Sequence, residues 1–129
     1  MKDTCASNDG RISEAEIHSL VVTFYTRIQS DDLLGPIFDV HVGDGWDAHL
    51  DKMCDFWSSI LLATGRFRGN PIVAHQGVPE VTSKGFDRWL VLFEEVASDV
   101  LSPTHAIDVV ARAHRMRLVL ERRIAPVTP

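Results

Sequence analysis

The sequence predicts an all-α fold. Apolar residues recur with the 3.6-residue period of a helix, no segment alternates cleanly with the period of a strand, and glycine and proline concentrate between the periodic stretches. The chain has 129 residues, of which 45% are hydrophobic and 24% charged, as in an ordinary globular protein. We expect one domain over residues 12–124, a flexible N-terminal extension over 1–11 and a frayed tail over 125–129.

The first helix is predicted to begin at Ser13, because Ser13 and Glu16 have the spacing of a capping box. Tyr25 lies at the edge of its apolar stripe, and the helix should stop before Gly35. A short turn of helix is expected to begin at Pro36. The stripe itself consists of Ile17, Leu20, Val21, Phe24 and Ile28.

The next helix is predicted from Trp46 to Ala63, with Asp44 as its N-cap and Gly65 as its terminator. One face carries His49, Met53 and Trp57 at the spacing i, i+4, i+8. This face is either an ordinary core stripe or the wall of a pocket. The inward candidates on the helix are Trp46, His49, Leu50, Met53, Phe56, Trp57, Ile60 and Leu61.

Residues 64–82 contain three glycines and two prolines, a density that forbids a long regular helix. A helix is then predicted from Ser83 to Leu101. A last helix is predicted with Ser102 as its N-cap and Pro103 as its first residue, and it should run to about Arg123. Its apolar stripe is predicted as Ile107, Val110, Ala111, His114 and Leu118.

Charge and cysteine content exclude several classes of protein. The net charge is -5 and most basic residues are scattered, which argues against a nucleic-acid partner. No apolar run approaches the length of a membrane span, and the N-terminus has no apolar signal-peptide region. Cys5 and Cys54 do not form a disulfide framework. We therefore expect a cytoplasmic monomer.

The residues alone leave the role of His75 open. It is either a loop or core histidine, or a metal ligand, and a single imidazole suffices for an iron already held by a porphyrin. Tyr25 and Trp89 are either core aromatics or hydrogen-bond donors into a pocket. No second histidine stands at i+3 or i+4 from His49, so a zinc helix is not indicated.

Taken in order, the motifs of the chain resemble those of group III truncated haemoglobins over about residues 12–120. Three positions depart from the family pattern: Gly85, where a histidine is frequent, Phe67, where a tyrosine is frequent, and the residues after His75, where a leucine is usual. The motifs are Leu20-Val21-Val22-Thr23-Phe24-Tyr25, Asp32-Leu33-Leu34-Gly35-Pro36-Ile37-Phe38, Trp46-Asp47-Ala48-His49-Leu50, Met53-Cys54-Asp55-Phe56-Trp57, Gly69-Asn70-Pro71, His75, and Phe86-Asp87-Arg88-Trp89-Leu90-Val91-Leu92-Phe93.

The resemblance implies a truncated globin fold, a 2-on-2 helical sandwich around haem b. It implies His75 as the iron ligand and Tyr25, His49 and Trp89 as the distal ligand-binding residues. The apolar haem contacts that it implies are Phe38, Met53, Trp57 and Phe86. Candidate partners of the haem propionates are Arg68 and Lys84, together with Arg66 and Arg88, because carboxylates favour nearby cations.

The function that the resemblance implies is reversible binding of O2 at ferrous iron, with NO, CO, cyanide and peroxide as further candidate ligands. One alternative is a redox enzyme on the same site, an NO dioxygenase or a peroxidase-like protein, served by an unidentified reductase. His49 makes this plausible because a histidine exchanges protons near neutral pH. Another alternative is a haem-free helical interaction domain. No residue is assigned a catalytic role.

Overall fold

The computed structural model describes residues 11–69 and 82–124, and these ranges contain five helices and no strand. The prediction of an all-α fold is confirmed. The helices are α1 (Glu14–Gln29), α2 (Leu34–Val42), α3 (Trp46–Leu62), α4 (Ser83–Val100) and α5 (Pro103–Ile124). None of the described helices is both long and apolar enough to cross a membrane.

Helix α1 begins at the predicted capping box. The Glu16 N–H donates to Ser13 Oγ over 3.0 Å, and the Ser13 N–H donates to Glu16 Oε1 over 2.9 Å. These bonds satisfy two backbone donors that the helix itself leaves without partners. The whole predicted apolar stripe is buried, and Tyr25 is buried with it, at 5% exposure.

Helix α2 is longer than the short turn that the sequence predicts. It begins at Leu34, two residues before Pro36, and runs for nine residues. Pro36 is tolerated because the N–H groups of a first helical turn have no partner within the helix. The Asp31 carboxylate accepts the N–H groups of Leu33 and Leu34 over 3.1 and 2.9 Å, which stabilises this start.

Helix α3 begins at Trp46 as predicted. The two residues predicted to cap and terminate it were wrong. The N-cap is Gly45 rather than Asp44, and no side chain caps the helix. The helix ends at Leu62, and its C-cap is Ala63 rather than Gly65, in the left-handed conformation with φ 58°. The Ala63 N–H donates to the Ser59 carbonyl over 3.1 Å, which offsets part of the strain of this conformation.

Helix α1 is central to the fold, since it packs against α2, α3 and α4, and α4 packs in turn against α5. Aromatic rings fill the junction of α1, α3 and α4. Trp57 stacks on Phe93 with ring centres 5.2 Å apart and 20° between the planes, and Phe24 meets Phe93 edge-on at 5.1 Å. Packing at this buried junction holds α3 and α4 against α1.

Helices α4 and α5 begin at Ser83 and Pro103, as predicted. The predicted inner stripe of α5 was wrong, since Ile107 is 71% and Leu118 57% exposed. Helix α5 has apolar residues on two faces, and the inner face uses small residues that let the helices approach closely, so hydrophobicity alone cannot choose between the faces. Among the described side chains of α5, the buried ones are Ala106, Val109, Ala113 and Leu120.

Candidate functional site

The candidate site is centred on Tyr25 of α1. Its ring meets His49 of α3 edge-on, with ring centres 5.1 Å apart and planes at 90°. Phe38 of α2 lies 5.9 Å from it and Trp46 of α3 6.1 Å. Two of the residues predicted to bind a distal ligand, Tyr25 and His49, are thus in direct contact, and three helices contribute to the cluster.

Burial determines the protonation state of Tyr25. Because the hydroxyl has been removed from water, the charged phenolate is disfavoured, and burial raises the pKa of Tyr25 far above its usual value. The side chain therefore remains a neutral phenol at every physiological pH. A neutral phenol has an O–H that can donate a hydrogen bond.

Trp89 joins the cluster indirectly. Its indole stacks on Phe93 at 5.1 Å with only 5° between the planes, and it meets Phe24 edge-on at 5.2 Å. Phe24 in turn meets Tyr25 at 4.9 Å. The ring of Phe24 thus separates Trp89 from Tyr25, so the structure brings Trp89 to the same region without a direct ring contact between the two.

The four predicted apolar contacts of a haem differ in burial. Phe38 and Met53 are half-buried against the core, so each keeps apolar surface for a further contact. Trp57 is only 2% exposed and belongs to the core itself. Phe86 is half-buried, and the guanidinium of Arg117 lies over its ring at 5.8 Å.

The four candidate partners of the propionates fall into two groups. Arg66 pairs with Glu14 at 2.6 Å, and Arg88 pairs with Asp31 at 2.7 Å. Arg68 and Lys84 are exposed and form no ion pair with another described residue. Arg68 and Lys84 are therefore the cations of this set whose charge is not already balanced by a described carboxylate.

His75, the predicted iron ligand, lies outside the described residues, as do the residues that follow it up to position 81. The structure therefore bears on the aromatic cluster around Tyr25 and on its supporting core. Within the described part of the chain, no cluster of three or more metal-ligating side chains occurs.

Trp46 belongs to the site although the sequence analysis placed it only among the inward residues of its helix. Its indole stacks on Phe38 with ring centres 6.3 Å apart and 22° between the planes, and it meets His49 at 5.5 Å. The signal was present in the sequence, because Trp46 stands three residues before His49 on one helix face.

Comparison with known proteins identifies the family. No family model matches the chain. A group 3 truncated hemoglobin of Campylobacter jejuni is 36% identical over 87 residues, which cover 65% of this chain and 68% of that protein. The crystal structure of a group III truncated hemoglobin from Campylobacter jejuni matches with a TM-score of 0.87 and 27% identity, over 95% of this chain and 99% of that one.

The chain belongs to the group III truncated haemoglobin family. The family resemblance that the motifs indicated is thereby confirmed, and so is the truncated globin fold. This family consists of globin-type haem proteins.

Proposed function

We propose that the protein holds haem b, with His75 as the iron ligand, and binds O2 reversibly on the side of Tyr25, His49 and Trp89. NO, CO, cyanide and peroxide are further ligands of the same site. The observation that carries the proposal is the contact of the buried, neutral phenol of Tyr25 with the imidazole of His49.

The described side chains fit a large, flat and mostly apolar ligand. Phe38, Trp46, Met53 and Trp89 are all half-buried, so each has apolar surface that a ligand could cover. Binding sites of this kind are lined mainly by apolar and aromatic groups, with a few polar atoms that orient the ligand. Arg68 and Lys84 are exposed cations, which suit the two carboxylates of a haem.

When bound, a haem supplies an iron that coordinates diatomic gases. The chain supplies the surroundings. The Tyr25 hydroxyl and the Trp89 indole N–H donate hydrogen bonds to the ligand, and His49 tunes access and polarity. Because the site has a low dielectric, each bond stabilises the ligand more than it would in water, by roughly 1–3 kcal/mol.

Absorption spectroscopy tests the proposal directly. The full-length protein, incubated with haemin and then reduced with and without CO, should show the bands of a histidine-ligated haem. His75→Gly should lose the iron–imidazole bond, and added imidazole should restore its spectrum. His18→Ala is the matched control, because His18 is exposed on α1 and its ring contacts Cys54 Sγ rather than a residue proposed to bind the haem or its ligand.

Two results would contradict the proposal. A wild-type chain that takes up no haemin would favour a haem-free helical domain instead. A His75→Gly variant with an unchanged ferrous spectrum would show that another residue ligates the iron. The His18→Ala control should match the wild type in either case.

A redox reaction at the same site, either NO dioxygenation or peroxide reduction, is the second candidate function. The observation that favours it is again the Tyr25–His49 contact, since an imidazole next to a phenol can exchange protons during such chemistry. A reductase would have to return electrons to the iron. Reaction rates with NO or peroxide no faster than those of free haemin would exclude this candidate.

A further inference from the structure

Phe86 is held differently from the other three predicted apolar contacts of a haem. Phe38 and Met53 pack against the hydrophobic core, and Trp57 belongs to it. The group described over the Phe86 ring is instead a cation, the guanidinium of Arg117 of α5, 5.8 Å from the ring centre. A guanidinium within about 6 Å of an aromatic ring is attracted by the ring quadrupole. Arg117 therefore contacts a residue that is proposed to touch the haem.

Several acceptors hold the guanidinium of Arg117 in place. Nη1 lies 2.5 Å from Asp87 Oδ1, and Nε donates to Glu121 Oε1 over 3.0 Å. Nη2 donates to the Ser83 carbonyl over 3.4 Å. Glu121 Oε2 in turn accepts from Ser83 Oγ over 2.5 Å. We call this set of residues the Arg117 cluster: Ser83, Asp87, Arg117 and Glu121.

The Arg117 cluster brackets Phe86 along α4. Ser83 stands three residues before Phe86 and Asp87 directly after it, and Arg117 contacts both of them from α5. The Arg117 side chain is only 19% exposed. A planar guanidinium whose N–H groups are directed at fixed acceptors keeps one orientation. The ring of Phe86 therefore lies against a cation that is itself held in place.

The charge of Arg117 is already balanced by two carboxylates, those of Asp87 and Glu121. In this it differs from Arg68 and Lys84, which form no ion pair with another described residue. A haem propionate would have to compete with both carboxylates for the same guanidinium. We therefore expect Arg117 to act on a haem through the Phe86 ring and not through a propionate.

We propose that Arg117 is a positioning residue of the haem site, which holds the Phe86 ring in the orientation that packs against the haem. The inference rests on the proposed function, because it requires a bound haem. A side chain that is ordered before a ligand binds loses less conformational entropy when the ligand covers it. Removal of the guanidinium should therefore weaken the retention of haem.

Haem transfer from the loaded protein to an excess of apomyoglobin measures this retention as a rate of haem loss. Arg117→Met keeps an unbranched side chain, removes the guanidinium, and should accelerate the loss roughly 3- to 30-fold. Arg112→Met is the matched control. Arg112 also lies on α5, where it pairs with Asp108 and donates to the Ile60 carbonyl over 2.9 Å. The control should lose haem at nearly the wild-type rate.

Two further measurements separate positioning of the ring from a general effect on stability. In a Phe86→Leu background, Arg117→Met should change the rate of haem loss by less than about twofold, because leucine offers no ring to the guanidinium. NMR of the haem-free protein gives a readout without haem. The Phe86 ring signal, assigned by its absence in Phe86→Leu, should shift in Arg117→Met and not in Arg112→Met.

Three results would overturn the inference and leave the proposed function intact. They are equal haem loss from the wild type and Arg117→Met, an effect of the same size in the Phe86→Leu background, and an unchanged Phe86 ring signal. An effect of Arg117→Met that disappears with a haem whose propionates are esterified would also overturn it, by making Arg117 a propionate partner. A wild type that takes up no haemin would instead overturn the proposed function and this inference together.

Discussion

Asp31 and Arg88 form an ion pair that joins two walls of the candidate site. Arg88 Nε donates to Asp31 Oδ1 over 2.7 Å, and the Asp31 side chain is only 4% exposed. Asp31 Oδ2 accepts the N–H groups of Leu33 and Leu34 at the start of α2. One carboxylate therefore links α2, which carries Phe38, to α4 immediately before Trp89.

Replacing Asp31 by asparagine should lower the free energy of unfolding by roughly 1–3 kcal/mol. The asparagine amide carries no charge that could pair with Arg88, and it has fewer acceptor sites for the N–H groups of Leu33 and Leu34. Urea denaturation measures the effect, and Asp32→Asn is the control, because Asp32 is exposed. The control should change stability by no more than about 0.5 kcal/mol. Equal effects of both substitutions would refute the structural role of Asp31.

The same pair predicts a dependence of stability on pH. Burial by itself would raise the pKa of Asp31, but the Leu34 N–H and the hydrogen bond and charge of Arg88 outweigh it, and the pKa lies below its ordinary 3.8. The folded state therefore binds the proton less readily than the unfolded state does. The stabilisation is present above pH 3.8 and is lost as the pH falls through the lower folded-state pKa.

The wild type and Asp31→Asn should accordingly converge in stability at acid pH. Unfolding free energies measured from neutral pH downward should differ by a constant amount until about pH 4, and the difference should then shrink. A difference that stays constant to the lowest pH at which the protein folds would assign the effect to packing rather than to the carboxylate charge.

Tyr25→Phe should accelerate the dissociation of O2 from the ferrous protein. The substitution keeps the ring and removes only the O–H, so the loss of one hydrogen bond of 1–3 kcal/mol corresponds to roughly a 5- to 150-fold faster rate. Stopped-flow displacement by CO measures it. Thr26→Val is the control, since it removes a hydroxyl from the exposed neighbour of Tyr25, where the Thr26 Oγ1 donates only to the Val22 carbonyl over 2.7 Å. Similar rates in the wild type and Tyr25→Phe would count against the proposed hydrogen bond.

Gly35→Ala should destabilise the protein by roughly 1–3 kcal/mol. A Cβ at this position would lie 2.7 Å from the Gln29 carbonyl oxygen and 3.2 Å from that of Ile28. Both are backbone atoms at the end of α1 and cannot turn aside as a side chain could. Gly45→Ala is the control, since its added Cβ would meet only the Val42 oxygen, at 3.3 Å. In thermal unfolding, Gly35→Ala should have a clearly lower melting temperature than Gly45→Ala.

Local signals predicted the helix starts well. Ser13 is the N-cap of α1 and Pro103 is the first residue of α5. Both were predictable because capping depends on residues within one turn of each other. The end of α3 was less predictable. Gly65 does have a positive φ of 72°, but the helix ends before it, with Ala63 as its left-handed C-cap and Ser58 Oγ 2.9 Å from Thr64 Oγ1 nearby.

The sequence by itself determined the helical class and the family, because periodicity, caps and the order of motifs are properties of the chain. Tertiary structure decided which face of α5 is buried and which cations already have partners. Arg88 was a candidate for a haem carboxylate, and packing pairs it instead with Asp31, 57 residues away. Contacts of such long range depend on how helices dock, a geometry that no local pattern encodes.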